Sequence, residues 1–387
     1  MDKFVIRKRK DNPNTNSSNT THASTANNTN KSDVQEPPTK MFKTSDSSKF
    51  FSQLEDCLKV PIGDLHKEED FEHHFEKMAA FLLNEVVLKA SSQLFRLVEI
   101  EFYFTSPSHP DPFTHQHSIQ IFPNWYFHRQ GKSSMYRDAS RKGLDISIGV
   151  NQQNLGGILI RSIEKLGSGP KGEYQKKKNL ILGFHNKHKN NKRLTCGPSK
   201  TVDMLLSCCS ASSIPDLVEN KLSKNLNCVD KASQLSLELV SEHKNLTLKQ
   251  RDVHKSSRVG LALTKGAKQV EPMKTYIFKP YRFFTNPKEI FKGKVHMVLQ
   301  MWQSKPSHIS SVLGPNVTTI TKILQNMEKG RTFRIDKFIG TKLENDEEIA
   351  NCFGCILQLQ QQKTIKETSI SSTKSNTEDN SESSKNE

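Results

Sequence analysis

Glu99 and Glu101 stand two residues apart in the otherwise apolar stretch Val98-Glu99-Ile100-Glu101-Phe102-Tyr103-Phe104. Such alternation reads as a strand, with both carboxylates and Tyr103 on one face and the two acids about 7 Å apart. Acids are depleted in strands. A pair placed there is either a general base with its charge partners or a solvated polar face. Arg161 bears on the choice, because it sits among Ile158, Leu159, Ile160 and Ile163. An arginine buried in such a run needs an anion, and Glu101 is the natural one. Buried Arg–Glu pairs also serve purely structural ends, so the pair alone leaves both readings open.

Three further groupings carry candidate chemistry. His109, Asp111, His115 and His117 lie in one Pro-rich loop and offer N and O ligands to zinc or another divalent ion. Their spacing matches no metal motif, and histidines that line a pocket or face solvent are the competing reading. Cys352 and Cys355 form a lone C-x-x-C, which on a helix reads as small apolar packing. Residues 171–193 hold eight Lys or Arg and one Glu, including Lys176, Lys177 and Lys178. They grip phosphates or form a solvated insertion. No metal and no cofactor is expected.

The elements that must position these residues follow from the pattern. Phe71, Phe75, Met78, Leu82 and Val86 recur at helical spacing and mark a helix over roughly 66–90, with Asp64 as its cap. Strands are expected at about 96–104, at Trp125–His128, Leu144–Val150, 157–163, 258–263 and 276–284. Gly197-Pro198-Ser199-Lys200 opens a helix, with proline in the first turn. A last helix covers roughly 343–360. Strands mixed irregularly with helices indicate an α+β domain.

The chain of 387 residues carries 57 Lys and Arg against 41 Asp and Glu, a net charge of +16. Residues 1–48 and 364–387 are polar and low in complexity, and read as disordered tails. They hold eight basic against five acidic residues, and three against five, so about +15 belongs to residues 49–363. That surplus fits a polyanion partner. Within 49–363, residues 171–193 and 210–257 read as insertions. Irregular cysteines and no N-terminal apolar segment indicate a reducing compartment. No apolar run is long enough for a membrane span. Arg7-Lys8-Arg9-Lys10 fits a nuclear localisation signal.

The chain resembles the alkyladenine (3-methyladenine) DNA glycosylase family, as a divergent branch. Glu99-Ile-Glu101-Phe-Tyr103 is similar to that family's E-x-E-x-Y strand, and Ile158-Leu-Ile-Arg161-Ser-Ile-Glu164 to its arginine-bearing strand. Leu194-Thr-Cys-Gly197-Pro198-Ser199-Lys200 resembles its L-C-x-G-P-S-K helix start. Arg258-Val259-Gly260 and Lys279-Pro280-Tyr281-Arg282-Phe283 resemble its R-V-G and K-P-x-R-F pair. The four motifs cover roughly 95–285.

The resemblance implies a single mixed domain around a curved antiparallel sheet, like the C-terminal domain of formyltransferases. Glu101 then matches the catalytic glutamate that activates water for attack on the anomeric carbon, and Arg161 the arginine that helps hold that water. Tyr103 matches an aromatic that stacks on the flipped-out base. Gly197, Ser199 and Lys200 would meet a DNA phosphate at the helix start. Asp145 stands where the family has asparagine. Asp138 stands at the family's tyrosine wedge, with Tyr136 or Met135 as substitutes. His115 lies three residues out of register with a family histidine.

The expected protein is a monomeric, monofunctional DNA glycosylase of nuclear base-excision repair, acting on double-stranded DNA with a damaged base. The alternatives are a nucleic-acid-binding relative without catalysis and a metal-dependent hydrolase built on the histidine loop.

Overall fold

The structure is a computed structural model that describes residues 53–131, 135–167, 193–264, 267–304, 306–314 and 316–378. The Lys176–Lys178 run and the first 52 residues lie outside these, and with them the expected phosphate-gripping loop and basic arm. The described residues form an α+β domain around one open antiparallel sheet.

Two long strands organise that sheet. β2 (Gln93–Ser106) pairs along one edge with β6 (Leu155–Lys165). On its other edge it meets in turn β1 (Val86–Ala90), β10 (Arg282–Phe284) and β3 (His109–Pro110). β6 carries β5 (Leu144–Ser147) and β7 (Leu194–Cys196) on its outer side, and β4 (Trp125–Phe127) follows β5. β8 (Leu235–Leu239) extends the sheet beyond β1, and β9 (His254–Ser256) extends it beyond β10.

α1 (Leu54–Leu58) precedes α2 (Glu68–Glu85), whose apolar stripe covers one face of β2. Phe75 stacks on Phe102 with ring centroids 4.7 Å apart, and Phe71 meets Phe104 at 5.8 Å. Each such phenyl contributes about 1.5–3 kcal/mol by burial. The opposite face of β2 carries Glu99, Glu101 and Tyr103. α3 (Pro198–Cys208) packs against β6. α4 (Ala267–Tyr276), α5 (Lys294–Ser304), α6 (Val317–Gly330) and α7 (Asp346–Glu378) follow, and the last three share a core around Val298, Met327 and Phe353.

Several elements differ from their sequence-based expectation. The first long helix stops at Glu85, because the run Val86-Val-Leu is taken into the sheet as β1. Asp70, not Asp64, serves its start, accepting from the Lys67 N–H at 2.9 Å. Residues 210–257 are not a free insertion: they supply β8 and β9, and the Lys249 carbonyl accepts from buried Arg96 at 2.8 Å. No strand forms at 258–263, and of 276–284 only Arg282–Phe284 is strand. α7 runs past 360, and past the tail boundary expected at 364, to Glu378.

Candidate active site

The register between β2 and β6 breaks beside the acids. Leu97 faces Ile163 and Glu99 faces Ser162, while Ile100 already faces Ile160, which leaves Val98 and Arg161 outside the paired register. Arg161 spends its side chain on the acids instead. Its Nε donates to Glu99 Oε1 at 2.9 Å, and its Nη1 to Glu101 Oε2 at 3.3 Å. The expected Glu101–Arg161 pair is therefore present, and Glu99 shares it.

Each carboxylate has its own set of donors. Glu99 also accepts from Arg282 Nε at 2.7 Å and Ser162 Oγ at 2.5 Å. Burial pushes the Glu99 carboxyl up, but the Arg282 and Arg161 charges outweigh it and hold it below the usual carboxylate range. Glu99 is thus a fixed anion between two guanidiniums. Glu101 has no solvent exposure. Its Oε2 accepts from Tyr103 Oη at 2.8 Å as well as Arg161, while among the described residues Oε1 accepts only the Val259 N–H at 2.9 Å. A carboxylate oxygen can accept two hydrogen bonds, so Oε1 has acceptor capacity unused among the described residues.

Burial raises the Tyr103 phenol well above its ordinary value, and the Glu101 charge adds to this. Its ring carries the Arg258 guanidinium on one face, 4.6 Å from the centroid.

Asp145 lies on the same sheet face but does not touch the Glu101 group. A continuous row crosses five strands: Arg282 faces Glu101, Glu101 faces Leu159, Leu159 faces Asp145, and Asp145 faces Tyr126. Directly opposed residues share a face. Leu159 thus lies between the Glu101 group and a second group around Asp145. In the second group His128 Nε2 lies 2.7 Å from Asp145 Oδ1, and Gln120 Nε2 donates to Oδ2 at 3.2 Å. His115 joins it, its ring 4.5 Å from that of His128 and 5.7 Å from that of Tyr126. Partial burial, aided by His128, holds His115 below the usual histidine range. Burial raises Tyr126 to about 12.

Tyr136 is not poised as a free wedge. Its ring packs edge-on to Phe127, with Arg129 over it at 4.6 Å, while neighbouring Met135 is 62% exposed. Gly197 caps the start of α3 at φ 104° and donates its N–H to the Arg161 carbonyl, tying the helix start to the acid cluster. Ser199 Oγ donates to the Ala139 carbonyl at 2.6 Å, and Lys200 is exposed.

The histidine loop does not assemble a metal centre. His109 is buried among Phe71, Phe75 and Tyr281, and bonds the Phe104 carbonyl and Tyr281 Oη. Asp111 forks onto Arg258, with no exposure on either side chain. Among the described residues no three His, Cys, Asp or Glu side chains are grouped to hold a metal. Cys352 and Cys355 are both buried in a helical core.

Arg258, Val259 and Arg282 stand out in the sequence as parts of motifs but without a role at the acids, and His128, Gln120 and Tyr126 are not marked as site residues at all. Arg282 carried the same signal as Arg161, a lone guanidinium beside Tyr281, Phe283 and Phe284. His128 carried none, since its partner is set by strand pairing.

No family model matches the chain. A stretch of 118 residues is 31% identical to an uncharacterized protein of Acanthamoeba polyphaga mimivirus, taking in 26% of this chain and 55% of that protein. The chain thus spans about half the length of this relative. Among the described residues no helix is long and apolar enough to cross a membrane.

Proposed function

We infer that this protein is a monofunctional DNA glycosylase, hydrolysing the N-glycosidic bond of a flipped-out damaged base in duplex DNA. The supporting observation is Glu101, a buried carboxylate braced by Arg161, Tyr103 and the Val259 N–H, with acceptor capacity of Oε1 unused among the described residues. Glu101 takes a proton from the water that attacks the anomeric carbon, and its charge steadies the cationic sugar as the base departs. The order of the four glycosylase-like motifs and the net charge of +16 favour DNA as the substrate. Base-excision repair in the nucleus is the setting this reading implies.

A nucleic-acid-binding relative without catalysis is the second reading. It is favoured by the complete burial of Glu101, which leaves the sugar no route to the carboxylate unless the covering segment moves. Incubation with duplexes carrying hypoxanthine, ethenoadenine, 3-methyladenine or uracil, scored for alkali-labile abasic sites, separates the two. Abasic sites support the glycosylase, whereas tight binding without them supports the binder.

A further inference from the structure

Phe291 is 75% exposed, while Ile290 beside it is buried against Phe284 and Met297. The loop between β10 and α5 is thus anchored through one apolar side chain and turns the next one outward. A lone exposed phenyl is ordinary on a protein surface. Its surroundings set this one apart. Lys288 and Lys292 are exposed and Lys294 is half-buried, and none of them forms an ion pair among the described residues.

Several contacts fix where this loop runs. Cys196 Sγ, one residue before the Gly197 cap of α3, lies 3.9 Å from the Glu289 carbonyl oxygen. Arg282, which holds Glu99, donates from Nη2 to the Lys292 carbonyl at 2.9 Å and from Nη1 to the Gly293 carbonyl at 3.2 Å. Gly293 has φ 77°, and a Cβ there would fall 2.5 Å from Val259 Cγ2. Val259 is the residue whose N–H meets Glu101. The loop therefore follows the rim of the acid cluster, from the α3 start to the segment that covers Glu101. Residues 286–294 lie beyond the glycosylase-like motifs, which end near 285, so no motif gives them a role.

We propose that this loop is a DNA contact surface, in which Phe291 stacks on an unpaired base of the bound strand while Lys288, Lys292 and Lys294 meet its phosphates. The proposal rests on the DNA partner of the glycosylase reading and not on catalysis. An aromatic ring set among free cations matches both parts of a nucleic-acid strand, the flat face of the base and the charged backbone. Arg282 holds the loop's main chain in place before any strand arrives, so little ordering is lost on binding. A strand seated here lies beside the Val259 segment, at the edge of the Glu101 site.

The test is fluorescence anisotropy of the full chain with a labelled single-stranded oligonucleotide and with its intact duplex, each titrated across a range of salt. Wild type is compared with Phe291→Ala, Phe291→Trp and the double variant Lys288→Ala/Lys292→Ala. The double variant should weaken both probes and flatten the dependence of log affinity on log salt by about 1–2, because each lost phosphate contact removes released counterions. Phe291→Ala should weaken the single strand by roughly 5–150-fold, the effect of losing one stacked base, and leave the salt slope unchanged. Phe291→Trp should restore that affinity, which a merely structural role would not require. A wild-type slope in the lysine variant, or wild-type single-strand affinity in Phe291→Ala, would overturn the proposal. Wild type that binds neither probe would overturn it together with the glycosylase reading. Wild type that binds both but excises no damaged base would remove only that reading, and the variants would still decide the surface.

Discussion

The backbone N–H of Val259 lies 2.9 Å from Glu101 Oε1, so the segment after β9 presses a main-chain donor onto a carboxylate in the middle of the sheet. Arg258, one residue earlier, fixes that segment. Its guanidinium reaches Asp111, the Phe102 carbonyl and the Tyr276 carbonyl. The placement of Glu101 therefore depends on a buried ion pair outside the site itself.

Asp111→Ala should expose that dependence. It leaves the Arg258 guanidinium buried without its counter-ion, which costs about 3–5 kcal/mol when one partner of such a pair is removed. Urea unfolding followed by circular dichroism measures the loss. A decrease below roughly 1 kcal/mol, the level of exposed pairs, would contradict the burial of this contact.

His109 makes stability depend on pH. The Phe104 carbonyl can only accept, so Nδ1–H donates to it at 2.9 Å and Nε2 accepts from Tyr281 Oη at 2.8 Å. Burial holds this neutral ring's pKa down to about 4, against about 6.5 in the unfolded chain. The unfolded chain thus takes up a proton that the folded state resists. The contribution is complete above about pH 6.5 and is lost as pH falls through that value towards 4, by about 3 kcal/mol in all. His109→Gln should flatten the fall in unfolding free energy over that window, and an identical slope in the variant would count against it.

Gly330 and Gly354 let α6 and α7 touch backbone to backbone. A Cβ on Gly354 would fall 1.9 Å from the Met327 carbonyl oxygen, and one on Gly330 would fall 2.1 Å from that of Asn351. Backbone cannot rotate aside, so Gly354→Ala should push the helices apart at a cost of about 1–3 kcal/mol. Amide exchange should quicken along Val317–Gly330, and protection equal to wild type would argue against the close crossing.

The sequence made the chemistry-bearing residues legible where charge stood out against an apolar run. Glu99, Glu101 and Arg161 were marked in that way, and the strands carrying them form close to their expected bounds. Partnership was less legible. Glu101 was paired with Arg161 correctly, but Glu99 with Arg282 and Asp145 with His128 follow from strand register, which joins residues 183 and 17 positions apart. Val86–Ala90 extended a helical pattern and became a strand, because β2 and β8 offered it pairing on both sides. His109 and Asp111 looked like ligands, and the core claimed them through Tyr281 and Arg258.

Glu101→Gln separates a general base from a carboxylate that only holds the sheet together. The change keeps the size of the side chain and most of its hydrogen bonding while removing the charge and the base. Single-turnover excision on the most reactive damaged duplex should fall by at least about 10²-fold, the lower end for general-base assistance, while affinity for that duplex is retained. Excision by the variant at the wild-type rate would contradict the account and move the base to another residue.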